Sequence, residues 1–302
     1  MEKLKGVLAV FIGAGSFGIL STFVKQAYSQ NFTLSEVIGM QVLFGMVILW
    51  IIYLGMQLFN KKRLDSYPKR SKMWTIVISG FSTGLVSILY YKCVSLVPAS
   101  LAIVLLMQYI WIGALIEYIV FRVVPSKKQS IGIVVILICT LLATGLVDKG
   151  IESFDLMGVG YGILAATGYA VFLIVNGRVG NDYPPIQKSA LMVTGSCILI
   201  FALFRPFNLF SGELGNGLWH FGLILSIFGT VLPPLLFAYG IPKIGVSLSS
   251  ILSAAELPVA VGMSYFVLLE PVTSLQWIGV VLILIIVVWM NIRNKEDDYR
   301  YH

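Results

Sequence analysis

Long apolar runs separated by short polar breaks dominate the chain. Ten runs stand out, near Leu4–Val24, Ser35–Leu58, Met73–Val94, Ala99–Val123, Gln129–Val147, Phe154–Asn176, Ile186–Phe204, Gly217–Gly240, Val246–Leu268 and Thr273–Ile292. Each is continuous rather than alternating, which fits a helix and leaves a barrel strand without its polar lumen face. About 20 apolar residues cross a bilayer core, so ten runs predict an all-α membrane protein with ten transmembrane helices. They occupy roughly 200 of the 302 residues, and what is left suits connections and tails rather than an extramembrane domain. Lys3 and Lys5 precede the first run as in a signal peptide. That run exceeds a typical h-region and lacks an A-x-A cleavage site, so it is expected to remain as a helix.

Composition agrees. Hydrophobic residues make up 58% and charged residues 12% of the chain, the latter about half of the ~25% usual in soluble domains, and mean hydropathy is +0.91. Soluble domains, a disordered chain and a secreted disulfide scaffold are excluded. Cys93, Cys139 and Cys197 lie inside apolar runs without a C-x-x-C spacing, and His220 and His302 are the only histidines. No metal site and no cofactor is therefore expected.

The net charge of +7 matters through its placement. With the N-terminus in the cytoplasm, ten crossings put every Lys and Arg except Lys25, Lys92, Lys149 and Arg205 on the inner side, as the positive-inside rule requires. Both termini are then cytoplasmic, and a bacterial plasma membrane is the expected location. The Lys61–Lys72 cluster reads as a topology signal touching anionic lipid, not as a nucleic-acid patch. Two acids, Glu117 and Glu256, fall within runs.

The chain also repeats itself. At an offset of 147, Ser100-Leu101 lies on Ser247-Leu248, Tyr118 on Tyr265, Gln129 on Gln276 and Ile131-Gly132 on Ile278-Gly279; at an offset of 152, Gly6-Val7 lies on Gly158-Val159. Two units follow, 1–148 and 149–302, each of five helices. Five is odd, so the second unit enters the membrane in the opposite sense, an inverted repeat of the kind that binds substrate near the midplane between halves.

The stretch from Val246, Val-Ser-Leu-Ser-Ser-Ile-Leu-Ser-Ala-Ala-Glu256-Leu-Pro258, followed by Leu-Leu-Glu270-Pro271, Thr273, Gln276 and Gly279, resembles the second-repeat signature of EamA-like members of the drug/metabolite transporter superfamily. Val97-Pro98-Ala99-Ser100 is similar to the first-repeat counterpart, although Val123 stands where Glu270 stands in the second repeat. The resemblance implies a ten-helix secondary transporter, commonly an exporter of amino acids or other small metabolites, working by alternating access.

Glu256 is the leading site residue. A carboxylate near the middle of a membrane helix costs about 2.5–3.5 kcal/mol or more when it faces lipid, so it faces a cavity or a partner. It can hold a substrate amine or carry a coupled proton; the plainer reading is a protonated acid bonded to a neighbouring helix. Gln108, Tyr109 (the repeat partner of Glu256) and Trp111 are candidates for an amide and an aromatic wall, against a role in helix packing. Tyr169 and Ser253 are candidates of the same type. Lys92 can snorkel to the interface or attract an anionic group. Glu117 lies within reach of Arg122, where a gate or an interfacial ion pair stands against the plainer reading of a structural role. Pro233, Pro234 and Pro258 are expected to kink or unwind their helices and act as hinges. Gly13–Gly18 spells G-x-G-x-x-G without a βαβ context, so close helix approach is expected there, as at Gly80/Gly84 and Gly158/Gly162.

The partners expected are a small metabolite, membrane lipid and a coupled proton. There is no G-x-x-x-x-G-K-[ST] motif in the sequence, which argues against a self-powered pump. The alternative class is a membrane-embedded enzyme acting on a lipid or lipid-linked substrate. With two histidines and no apolar run that holds two carboxylates, enzymatic activity is not expected.

Overall fold

The computed structural model describes residues 2–65, 71–143, 155–206, 217–269 and 271–291. Eight helical stretches are long and apolar enough to cross a membrane: α1 (Glu2–Ser29), α2 (Leu34–Phe59), α3 (Met73–Leu96), α4 (Leu101–Phe121), α6 (Leu156–Arg178), α7 (Pro185–Phe204), α8 (Leu218–Ile244) and α9 (Val246–Val267). Two shorter helices, α5 (Lys127–Ala143) and α10 (Ser274–Asn291), complete ten, with no strand among the described residues. Glu270 and the stretches 66–70 and 292–302, which hold part of the expected charge signal, lie outside the described residues.

Helix packing obeys an exchange symmetry. α1 packs on α8 and α9, and α6 packs on α3 and α4; α2 packs on α7 and α8, and α7 on α2 and α3; α5 packs on α10. Swapping each helix for the one five places along leaves this pattern unchanged. That is the arrangement of two inverted five-helix repeats.

Glycines set the closest contacts. A Cβ added at Gly80 in α3 would meet the backbone of Met192 in α7, and one at Gly195 in α7 would meet the backbone of Val77 in α3. On the other side of the bundle Gly222 of α8 lies against Met40, and Gly45 of α2 against Thr230. Lipid tails are as apolar as the helices, so membrane helices associate largely through such close packing. Gly158 against Val97, and Gly162 against Leu105 and Cys93, do the same for α6.

Five of the ten helices are interrupted. In α9 a 3-10 turn, Ser253–Ala255, precedes Glu256. Pro258 has no N–H to offer the carbonyl four residues back, which favours a tighter turn there. In α8 a π-helical turn, Ser226–Val231, precedes Pro233 and Pro234, whose missing N–H groups would have reached Gly229 and Thr230. The other three breaks carry no proline. α1 divides into Glu2–Phe17 and Leu20–Ser29, α3 into Met73–Ser79 and Phe81–Leu96, and α4, whose helix begins two residues ahead of its apolar span, into Ala99–Met107 and Tyr109–Phe121. At the breaks in α1 and α4 an N–H bonds to the residue three back, Gly18 to Gly15 and Gln108 to Leu105, and in α3 the Gly80 N–H is shared between Val77 and Ile76. At the offset of 147, Gly80 corresponds to Ile227 inside the π turn, and Gln108 to Ala255 inside the 3-10 turn. The interruptions of α3 and α4 are thus the repeat partners of those in α8 and α9.

Candidate functional site

The interruptions of α1, α4 and α9 converge on Glu256. Gly18, at the break in α1, lies so close to α9 that a Cβ there would touch the Glu256 carbonyl, and 2.8 Å would separate it from Val259 Cβ. Only glycine fits this crossing. Glu256 is 2% exposed, and its Oε2 has no hydrogen-bond partner. Tyr90 of α3, Tyr109 of α4 and Tyr169 of α6 stand within electrostatic reach of its carboxyl. The site therefore draws on both repeats.

Each neighbour arrives by simple helix geometry. Tyr109 follows the break in α4 and is fully buried; its hydroxyl donates to the Ser250 carbonyl of α9 at 3.2 Å. Ser253 lies one turn before Glu256 and is fully buried. Its hydroxyl and that of Tyr169 make no hydrogen bond of full geometry, although the two lie close enough to interact with each other. Buried polar atoms are nearly always paired. An unpaired oxygen of the carboxyl and two such hydroxyls near it leave hydrogen-bonding capacity for a polar ligand or water.

An aromatic ring closes the same region. Phe17 meets Tyr169 at 5.7 Å between centroids, Tyr169 meets Phe172 at 5.7 Å, Phe172 meets Phe237 at 6.0 Å, and Phe237 returns to Phe17 at 5.9 Å. Tyr109 adds an edge-on contact to Tyr169 at 4.6 Å. These rings come from α1, α4, α6 and α8. Among them, sequence patterning singled out only Tyr109 and Tyr169, because Phe17, Phe172 and Phe237 look like any other apolar residue of a membrane helix.

Other candidates lie apart or bond locally. The Gln108 amide donates to the Val104 carbonyl at 3.1 Å and accepts from Trp111 Nε1 at 2.9 Å, while Trp111 is 40% exposed. Lys92 is exposed on α3, whereas Tyr90 and Tyr91 beside it point inward. A second polar group, missed by the sequence reading, links α2, α3 and α8: Tyr91 donates to Gln41 Oε1 at 2.6 Å, and Gln41 Nε2 donates to Thr230 Oγ1 at 2.9 Å. An amide inside an apolar run is its only sequence signal.

Glu117 requires a correction. Its partner is Arg178 of α6, at 3.3 Å, and not Arg122. Arg122 adopts a left-handed conformation as the C-cap of α4, with its N–H turned back to the helix, which takes its side chain off the helical register. Arg178 also stacks on Phe121, 3.7 Å from the ring centroid. Two further ties join the halves at the same end of the bundle. Asp182 accepts from the Ser71 N–H and hydroxyl while Tyr183 donates to the Ser71 carbonyl, and Lys243 pairs with Glu2. Beside them the buried Lys188 caps α6 by donating to the Asn176 carbonyl and to Asn181 Oδ1. A cation there suits the negative end of a helix.

Two inverted five-helix repeats with interrupted helices meeting at a buried acid define an integral membrane protein of transporter architecture. The EamA-like transporter family model matches residues 4–145 and again 156–292, and the chain belongs to that family. It is similar to an uncharacterized transporter of Synechocystis, 24% identical over 313 residues, covering 96% of this chain and 94% of that one. It is also similar to the uncharacterized transporter YcbK of Bacillus subtilis, 20% identical over 301 residues, covering 98% and 95%. A crystal structure covering 94% of this chain and 98% of its own superposes with a TM-score of 0.69 at 15% identity, a likeness of fold.

Proposed function

We propose that this protein is a secondary transporter that exports a small polar or amphipathic metabolite, such as an amino acid, by alternating access between repeats 1–148 and 149–302. The carrying observation is the buried Glu256 carboxyl, whose Oε2 has no hydrogen-bond partner, at the meeting of interrupted helices from both halves. Tyr109, Tyr169 and Ser253 complete the binding position, and the breaks before Pro258, Pro233 and Pro234 serve as hinges. The Glu117–Arg178, Ser71–Asp182 and Glu2–Lys243 ties form the gate at the end that carries Glu2. The distribution of Lys and Arg supports a cytoplasmic location for that end and for both termini, in a bacterial plasma membrane.

Glu256 also carries the coupled proton in this reading. The described titratable groups within its electrostatic reach are the three tyrosines, and none is an Asp, Lys, Arg or His. Counterflow of labelled metabolites in proteoliposomes tests the function, because a transporter returns its substrate unchanged. Glu256→Gln is expected to abolish the dependence of transport on a pH gradient in protein that still elutes as a folded species. Retention of both rate and gradient dependence in that variant removes Glu256 from the proposal.

A further inference from the structure

The chemistry around Glu256 narrows the substrate, on the reading that this is the transport site. Its carboxyl is buried, and among the described residues no Lys, Arg or His pairs with it. The other groups at the position are phenol and serine hydroxyls and the faces of aromatic rings. A carboxylate is complementary to a cation, and an aromatic face attracts a cation through its ring quadrupole. The hydroxyls can donate to a second carboxylate, but no group in this set carries the positive charge that would offset it.

We infer that the substrate class is a small organic cation, an amine or quaternary ammonium without a free carboxylate, held by Glu256 and walled by Phe17, Tyr109, Tyr169 and Phe237. A zwitterionic amino acid satisfies half of this site and leaves its own carboxylate beside Glu256 without a counter-charge. Burying an unpaired charge is costly, and like charges in one site repel. Discrimination therefore rests on the carboxylate, and pairs of compounds that differ only there read it directly.

The test uses the full-length protein in detergent and in proteoliposomes, with tyramine against tyrosine, cadaverine against lysine, and tetramethylammonium alone. Binding followed by thermal shift and calorimetry is expected to favour each amine over its parent amino acid by at least tenfold, and counterflow is expected for the bound amines. Glu256→Gln should lose amine binding. Phe17→Leu serves as a second variant that separates binding from folding: it removes one aromatic face, keeps the acid, and should weaken tetramethylammonium by several-fold while the melting curve stays cooperative. Equal or tighter binding of tyrosine and lysine, or failure of every cationic probe to bind, overturns the inference. Counterflow of the amino acids under those conditions leaves the transporter reading standing, whereas counterflow of no compound in either set, or in a wider set of nucleosides and sugars, counts against that reading as well.

Discussion

At the residue scale, charge in an apolar sequence is easy to find and neutral polarity is not. Glu256 is legible because an ionisable group inside a membrane helix is expensive. Tyr109 is legible as its partner across the repeat. Gln41 carries no such signal, yet it bridges Tyr91 and Thr230 across three helices. Hydrogen bonds between membrane helices average about 0.6 kcal/mol, and the partners of a deleted amide remain buried. Gln41→Leu is therefore expected to cost on the order of 1–2 kcal/mol, including the unpaired partners, and to lower the midpoint of thermal unfolding in detergent. An unchanged midpoint would place no energetic weight on the bridge. The aromatic ring escapes sequence patterning for a related reason: phenylalanine is as welcome against lipid as against a substrate, and only its neighbours in space tell the two apart.

At the element scale, the helices and their order follow from the apolar runs, but the interruptions follow only in part. Those in α8 and α9 sit just ahead of Pro233 and Pro258, so a missing donor in the sequence locates them. Those in α1, α3 and α4 sit at Gly18, Gly80 and Gln108, where no residue forbids a continuous helix and packing decides. The glycine contacts are what packing requires. Gly195→Ala places a methyl against the Val77 backbone, which no rotamer change relieves. Overpacking typically costs about 1–3 kcal/mol, so this variant is expected to lose folded yield and unfold several degrees lower. Gly160→Ala, in open space on α6, is the matched control and should be neutral or slightly stabilising.

At the scale of the molecule, parity and charge foretell two opposed halves, and the exchange-symmetric packing realises them. The ties between the halves were not foretold: Glu117 finds Arg178 across 61 positions of chain, and Asp182 finds Ser71 across 111. Pairings at such distances are set by tertiary packing rather than by local spacing. Removing two of the ties with Glu117→Gln and Asp182→Asn is expected to raise the rate at which a membrane-impermeant maleimide reaches Ser250→Cys from the side that carries Glu2, in a background lacking Cys93, Cys139 and Cys197. An unaltered labelling rate would deny these ties a gating role. The same exchange that relates the helices also relates residues. At the repeat offsets of 147 and 152, Glu117 maps onto Ser264 and Arg178 onto Gln26, so the mirror image of this ion pair is a serine and an amide. The two halves exchange under the repeat symmetry but this fastening does not, so in the transport cycle proposed above the two ends of the molecule are not held alike.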